Sequence, residues 1–326
     1  MKSLRVVLLI VAMLAFSACN ETQSVLSPHG RDAERIATLT WILFGMVAAV
    51  MVIVLVATWL AIRGSDAWRT RLASERTIII CGVAFPAIVL TALLVYGLLL
   101  MRTSQSVSSE AFVIEVRGEQ WWWRVRYPLS DGSTFESANE IKLPVGRPVV
   151  LQLTSADVIH SIWIPALAGK VDLIPGRTTR LPLQAERAGI YRGACAEYCG
   201  GPHALMALHA VALSADEFDQ WLNERGASSV PTDQGPQRGR ALFQAAGCGG
   251  CHAIDGTDAR GTIGPSLTDI GARHSIGAGL LTMSRENLSR FIADSQVLKP
   301  GNRMPPFRIF DERQLADLSS YLAELR

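Results

Sequence analysis

The hydrophobic and polar positions of this chain change period several times. At the N-terminus a short apolar run, Val6–Phe16, follows Lys2 and Arg5 and ends on small Ser17 and Ala18 before Cys19. That order of basic, apolar and small residues predicts an export signal over residues 1–19. Two longer apolar runs follow, Thr38–Ile62 and Thr77–Met101, and neither holds a charged residue. A helix rises about 1.5 Å per residue, so each run exceeds the roughly 30 Å hydrocarbon core and predicts a membrane-spanning helix. Trp41, Trp59 and Tyr96 lie near the ends, where such rings favour the interface, and Pro86 predicts a kink in the second helix. From about Ser108 the pattern shortens to alternating or β-branched runs at Phe112–Val116, Val149–Thr154, Thr178–Leu183 and His209–Leu213. Pro144, Gly146, Pro175, Gly176 and Gly189 break them. Short strands at this spacing predict a sandwich or barrel. Beyond Gly226–Pro236, which is polar and bears Gly and Pro, the period becomes helical. Gln237–Gly247 predicts a short helix, and Ser284 can cap a second through Phe291 and Ile292. Asp311–Leu325 predicts a third, with Leu315, Leu318, Leu322 and Leu325 on one stripe that should pack on the first.

The chain therefore reads as a multidomain membrane protein. Residues 1–19 are the signal peptide, and 20–107 an N-terminal segment and transmembrane hairpin with helices at about 38–62 and 77–101. Residues 108–225 form an all-β domain, 226–236 a linker and 237–326 an all-α domain. The loop between the two membrane helices carries Arg63, Arg69, Arg71 and Arg76 against Asp66 and Glu75. Basic short loops stay cytoplasmic, so everything after Met101 is expected outside the cytoplasm, on the periplasmic side of a bacterial inner membrane. Phe16-Ser17-Ala18-Cys19 resembles a lipoprotein cleavage box, which would leave Cys19 lipidated; an ordinary cleaved signal with an incidental cysteine is the other reading. With 31 basic and 29 acidic residues the formal charge is only +2, which implies no nucleic-acid partner.

The placement of the six cysteines carries the chemistry. Cys81 lies inside an apolar run, while Cys195 with Cys199, and Cys248 with Cys251, form two local pairs. The stretch from Cys195 to Met206 offers two thiolates, the His203 imidazole and the Met206 thioether. Thiolate with thioether is a soft donor set that selects copper, whereas zinc sites use Cys and His without Met. His160, after the strand at Val149–Thr154, supplies one more imidazole. Cys248-Gly249-Gly250-Cys251-His252 is the attachment signature of haem c. Its thiols add to the haem vinyl groups and His252 becomes the proximal iron ligand. A redox dithiol or zinc half-site would not need the trailing histidine.

The segment from Cys195 to Met206 resembles the dinuclear copper (CuA) loop of cytochrome oxidase subunit II, whose soluble domain is a cupredoxin-like sandwich. The resemblance implies that Cys195 and Cys199 bridge two coppers and that His160 and His203 each bind one. It makes Met206 the weak thioether ligand and the Glu197 backbone carbonyl the last one. It also implies a magnesium ion shared with subunit I through the Glu197 carboxylate. Gly118-Glu119-Gln120-Trp121-Trp122-Trp123 resembles the family's Gly-His-Gln-Trp-Tyr-Trp stretch, with Glu119 in place of His and Trp122 in place of Tyr. Trp121 thereby matches the residue through which electrons enter; simple strand alternation of Trp121–Trp123 is the other reading. Asp172 and Arg177 lie in a similar segment and are expected to contact subunit I or to hold the copper loop.

Residues 237–326 are similar to a small class I cytochrome c. Gly264-Pro265-Ser266-Leu267 resembles its post-haem turn, and Asn302-Arg303-Met304-Pro305 the loop bearing the distal thioether; Met283 is the other methionine of the domain. Met/His ligation raises a haem potential. His29, His209 and His274 have no ligand context, and His209 reads as structural. The fusion of both domains resembles subunit II of the caa-type oxidases. That implies electron input from cytochrome c or another periplasmic donor through haem c and CuA to haem a in subunit I, coupled to proton translocation. Subunits I and III and membrane lipid are the expected partners. The same input subunit attached to a nitric oxide reductase is the alternative. A copper-delivery or redox-sensing protein would need an exposed, labile site instead.

Overall fold

A computed structural model describes residues 21–104, 109–227 and 237–326. The signal at 1–19, Cys19 and residues 228–236 of the linker lie outside the described residues. Of these, residues 34–104 form one compact unit, and residues 21–33, 109–227 and 237–326 the other.

The first unit is built on two helical runs long and apolar enough to cross a membrane. They are α1 (Arg31–Arg63) and a run over Glu75–Arg102, each with a window of mean hydropathy 2.8 and none of that window buried. Between them lies α2 (Asp66–Leu72). The Arg69 guanidinium donates to the carbonyls of Ala61 (3.2 Å) and Ile62 (3.3 Å), which closes the exposed end of α1. The second run starts as α3 (Glu75–Ile79), capped by the Ser74 hydroxyl on the Thr77 N–H (3.2 Å). It widens into a π turn at Ile80–Ala84 and continues as α4 (Phe85–Ser104). The wide turn falls where the ring of Pro86 would meet the carbonyl of residue 82, so it accommodates the proline within the run.

The second unit contains two five-stranded sheets. One has the order β3-β2-β1-β5-β8, with β1 (Phe112–Glu119), β2 (Trp122–Pro128), β3 (Thr134–Ala138), β5 (Val149–Ser155) and β8 (Thr179–Leu183). The other has the order β4-β10-β9-β6-β7, with β4 (Glu140–Pro144), β6 (His160–Trp163), β7 (Val171–Leu173), β9 (Gly189–Cys195) and β10 (Ala207–Leu213). β1 runs parallel to β5 and β10 parallel to β4; the other pairings are antiparallel. Alternation in β1 buries Ile114 and Val116 while Val113, Glu115 and Arg117 face out. Those residues, with Trp123, Val125 and Tyr127, meet Ile141, Leu143, Ile162 and Leu208 in a closed core. Helix α5 (Ala215–Ala227) seals one end: Phe218 packs edge-on against Phe112 (5.4 Å) and Trp221 against Tyr127 (4.9 Å).

The C-terminal domain surrounds a second core of Phe243, Ile254, Leu288, Ile292, Leu318 and Leu322. Its helices are α6 (Gln237–Ala245), α7 (Arg285–Ala293), α8 (Ser295–Leu298) and α9 (Glu312–Glu324). A two-stranded ribbon, β11 (Ser275–Ile276) with β12 (Leu281–Thr282), is added to the otherwise helical domain. Helix α9 crosses α6 at Gly239, where a Cβ would sit 2.1 Å from the Asp317 carbonyl oxygen. Phe243 and Tyr321 pack at 5.9 Å beside the crossing, and Arg238 pairs with Asp317 at 2.8 Å. The α9 start is a reciprocal capping box between Asp311 and Gln314.

The β-sandwich and the helical domain share a polar boundary. Ser137 Oγ donates to Asp269 Oδ2 (2.7 Å), and Glu140 Oε2 accepts from the backbone N–H of His274 and bonds its Nδ1, both at 2.8 Å. Backbone of Ala207 donates to Ala278 (3.0 Å), and Arg192 to Gly279 (3.1 Å). His274, without a role from sequence, thus joins the two domains, and His209 bonds Ser275 Oγ at 3.0 Å beside it.

Candidate metal and haem centres

The ends of β6 and β9 and the loop before β10 bring the copper-type donors together. Cys195 Sγ and Cys199 Sγ are 3.8 Å apart, too far for a disulfide of about 2.05 Å, and both are free. Two sulfurs at that separation can both reach an ion at the roughly 2.3 Å of a metal–thiolate bond. His160 Nδ1 lies 3.9 Å from Cys195 Sγ, and the Glu197 carbonyl oxygen 3.2 Å from it. His203 Nδ1 lies 3.5 Å from Cys199 Sγ, and Met206 Sδ 3.9 Å from it. All six positions singled out in the sequence therefore converge, and the donor set fits a thiolate copper centre. The contact between the thiols splits them: the Cys199 hydrogen bond holds Cys195 far below an ordinary thiol, while the same contact and burial push Cys199 up.

Local packing fixes each donor. His160 is fully buried against Gly118, where a Cβ would meet its ring at 2.7 Å, so only glycine fits there. Its Nε2 lies 2.8 Å from Asp157 Oδ1, which leaves Nδ1 for the sulfurs. Burial alone would lower the His160 pKa, but the Cys195 and Asp157 contacts outweigh it and raise it. Burial likewise opposes ionisation of Asp157, yet the Gln120 N–H (2.8 Å), His160 and the Val158 N–H hold its carboxyl below the usual range. Asp157 had no role from sequence. Glu197 keeps its carboxylate exposed, and Tyr198 packs its ring on His203 at 5.6 Å. Asp172 and Arg177 are both exposed, and among the described contacts neither side chain touches the copper loop.

The haem signature lines a largely apolar cavity in the helical domain. Cys248, Cys251, His252 and Met304 all face it, with Phe243, Leu288 and Leu318 around them. His252 Nδ1 donates to the Pro265 carbonyl at 2.7 Å, which orients the ring and leaves Nε2 free for iron. Burial lowers the His252 pKa and keeps the imidazole neutral, as ligation needs. The ring leaves no room at Gly264 either, where a Cβ would lie 2.6 Å away. Met304 is held from both sides. Its N–H donates to Asn302 Oδ1 (2.8 Å), and its carbonyl accepts from Ser295 Oγ (2.8 Å) and Gln296 Nε2 (2.9 Å). Met283 packs on the domain core but does not line the cavity.

The cavity wall is completed by the β-sandwich, through Glu119, Gln120, Trp121, Trp122 and Asn139. Trp121 lies in the turn before β2, so strand alternation applies only from Trp122 onward, with Trp123 fully buried. Trp121 Nε1 and Gln120 Nε2 donate to the Cys199 carbonyl at 3.0 and 2.8 Å. One aromatic side chain thus lines the haem-type cavity and touches the copper-type cluster. Glu119, which stands where the family has His, pairs with buried Arg124 at 2.6 Å. Arg124 stacks on Trp122 (4.7 Å) and donates across the boundary to the Thr262 carbonyl (2.8 Å), so this departure serves the contact between the two domains.

A cupredoxin-like sandwich joined to a cytochrome c domain, behind two apolar helices, defines a membrane-anchored electron-transfer protein. The family pattern "Cytochrome C oxidase subunit II, periplasmic domain" matches residues 129–213, and "Cytochrome c" matches residues 236–326. Cytochrome c oxidase subunit 2 of Alkalihalophilus pseudofirmus is 39% identical over 221 residues, covering 68% of this chain and 63% of that protein. Its counterpart from the yeast Lachancea kluyveri is 31% identical over 173 residues, 46% of this chain and 69% of that protein. The solved periplasmic domain of subunit II from Bradyrhizobium japonicum is 31% identical and covers 37% of this chain and 98% of that one, with a TM-score of 0.35. The chain belongs to the cytochrome c oxidase subunit II family. It spans about three fifths of the length of the bacterial relative first named.

Proposed function

We propose that this chain is the electron-input subunit of a haem–copper cytochrome c oxidase. Electrons from cytochrome c or another periplasmic donor enter through haem c and leave through CuA toward haem a and the oxygen site of subunit I, coupled to proton translocation. The observation that carries this reading is Trp121, which lines the cavity of Cys248, Cys251, His252 and Met304 and bonds the Cys199 carbonyl.

In this reading Cys248 and Cys251 anchor haem c, with His252 and Met304 as axial ligands. His160, Cys195, Glu197, Cys199, His203 and Met206 hold the two coppers. Each group supplies reversible one-electron storage when bound. The chain's own residues keep the ligands still. Asp157 fixes the His160 ring and Pro265 the His252 ring, while Asn302, Ser295 and Gln296 fix the Met304 loop. A rigid donor set reorganises little between oxidation states, which keeps the transfer barrier low. Trp121 offers the conduit between the two sites within the chain. The exposed Glu197 carboxylate is left for a magnesium ion at the boundary with subunit I, and exposed Asp172 and Arg177 for subunit I itself. The membrane hairpin would lie beside subunits I and III in the lipid of the inner membrane.

The test is haem extraction and a reduced-minus-oxidised spectrum of the complex that co-purifies with this chain from its own membranes. Haem a beside covalently bound haem c is expected. Haem b with haem c and no haem a would reassign the complex to a nitric oxide reductase or a related oxidase.

A further inference from the structure

A buried cation sits where the copper-type loop, the Trp121 turn and the haem-type cavity meet. Lys299 directly follows α8 and is only 4% exposed. Its Nζ donates to the carbonyls of Trp121 (2.7 Å), Leu205 (2.9 Å) and Gly277 (3.0 Å). An ammonium carries three N–H donors, so its capacity is filled.

Each carbonyl belongs to a different segment. Trp121 sits in the turn between β1 and β2, and its indole bonds the Cys199 carbonyl. Leu205 stands between His203 and Met206, two of the six donors of the metal cluster. Gly277 lies just after β11 and lines the cavity. Lys299 lines that cavity too, and the Met304 loop begins three residues beyond it at Asn302, whose side chain returns to the Lys299 carbonyl at 2.7 Å. Among the described residues no carboxylate pairs with this ammonium, although burial pulls its pKa down to about 7. Apart from the Cys199 sulfur, which favours its charge, the ammonium has no anionic neighbour to offset its burial, and an apolar side chain would fill the space more cheaply. What the ammonium provides is a junction that binds three carbonyls at once in fixed directions.

We propose that Lys299 is a positioning residue that clamps the Trp121 turn and the metal-ligand loop against the wall of the haem cavity. It sets how Trp121 stands relative to both centres, and this rests on the two-centre reading above. Without the ammonium the three carbonyls lose their shared donor, and the His203–Met206 stretch and the Trp121 turn are held less tightly against the haem domain.

The test uses the assembled membrane complex with Lys299→Met, which keeps the side chain's length and removes its donors. Hydrogen exchange is measured at residues 119–122, 203–207 and 275–280, together with the copper midpoint potential and the single-turnover rate of haem c oxidation by the copper centre. Exchange in all three segments should rise about tenfold or more, since each loses a hydrogen bond to a charged group. The copper potential should shift and the transfer rate should fall, with haem and copper content unchanged. Lys299→Gln, which keeps two N–H donors, should lie between wild type and Lys299→Met. Equal exchange and an equal potential in both loaded variants would overturn the clamp, as would loss of either cofactor from both variants, which would make Lys299 a folding residue. If the wild-type chain itself passes no electron from haem c to copper, the two-centre reading fails instead.

Discussion

At the residue scale, side chains outside the ligand sets determine how the ligands stand. Asp157 takes one ring nitrogen of His160 and Pro265 takes one of His252, so each imidazole presents its other nitrogen inward. Neither partner can be read from spacing alone, because a lone Asp or a carbonyl carries no signature. The candidate donors were legible, most plainly where Cys195-to-Met206 and Cys248-to-His252 are local in sequence. The Asn302-to-Pro305 stretch already pointed to Met304 over Met283, and in the fold Met304 faces the cavity while Met283 does not. Met304→Ala should therefore open the sixth position, so that the reduced haem binds carbon monoxide or added imidazole. Met283→Ala should leave the ligation spectrum unchanged. The opposite pattern would transfer the ligand to Met283.

At the element scale, the apolar periods specified what kind of element each segment forms, and the fold class followed from them. The strands run longer than the alternating segments suggested: β1 reaches Glu119 by pairing with Trp122 of β2, and β5 reaches Ser155 opposite Gly118 of β1. The proline expected to bend the second apolar helix follows a π turn, a local widening that leaves no mark in hydropathy. Helix contacts depend on single small residues, and Gly239 shows how tightly. Its Cβ position lies 2.1 Å from the Asp317 carbonyl oxygen, so Gly239→Ala must push α9 away from α6. Overpacking of this kind costs about 1–3 kcal/mol. We expect a lower unfolding midpoint for the haem domain, followed through haem absorbance, with the copper signal unaffected. An unchanged midpoint would mean that the helices adjust freely.

At the scale of the whole molecule, the surprise is the boundary between the sandwich and the helical domain. Lys299 reaches Trp121 across 178 positions and His274 reaches Glu140 across 134, separations at which no sequence pattern points to contact. His209 lies on this boundary, where burial lowers its pKa from the usual 6.5; Glu140 opposes that shift, while Arg192 and His274 add to it. The unfolded chain then accepts a proton near pH 6.5 that the folded chain resists. Stability from this group is thus complete above about pH 6.5 and declines as pH falls below it. Melting of the detergent-solubilised chain should show this loss as pH falls below about 6.5, and His209→Asn should flatten it. A slope that survives the substitution would assign the dependence elsewhere.

The central claim is that one chain carries a thiolate dicopper centre and a covalent haem side by side. It is tested most directly by metal and haem analysis of the purified chain with electron paramagnetic resonance of its oxidised form. The account predicts two coppers and one covalent haem per chain, and a mixed-valence copper signal that disappears in Cys199→Ser while the haem remains. A single copper, or a signal that persists without the Cys199 thiolate, would contradict it.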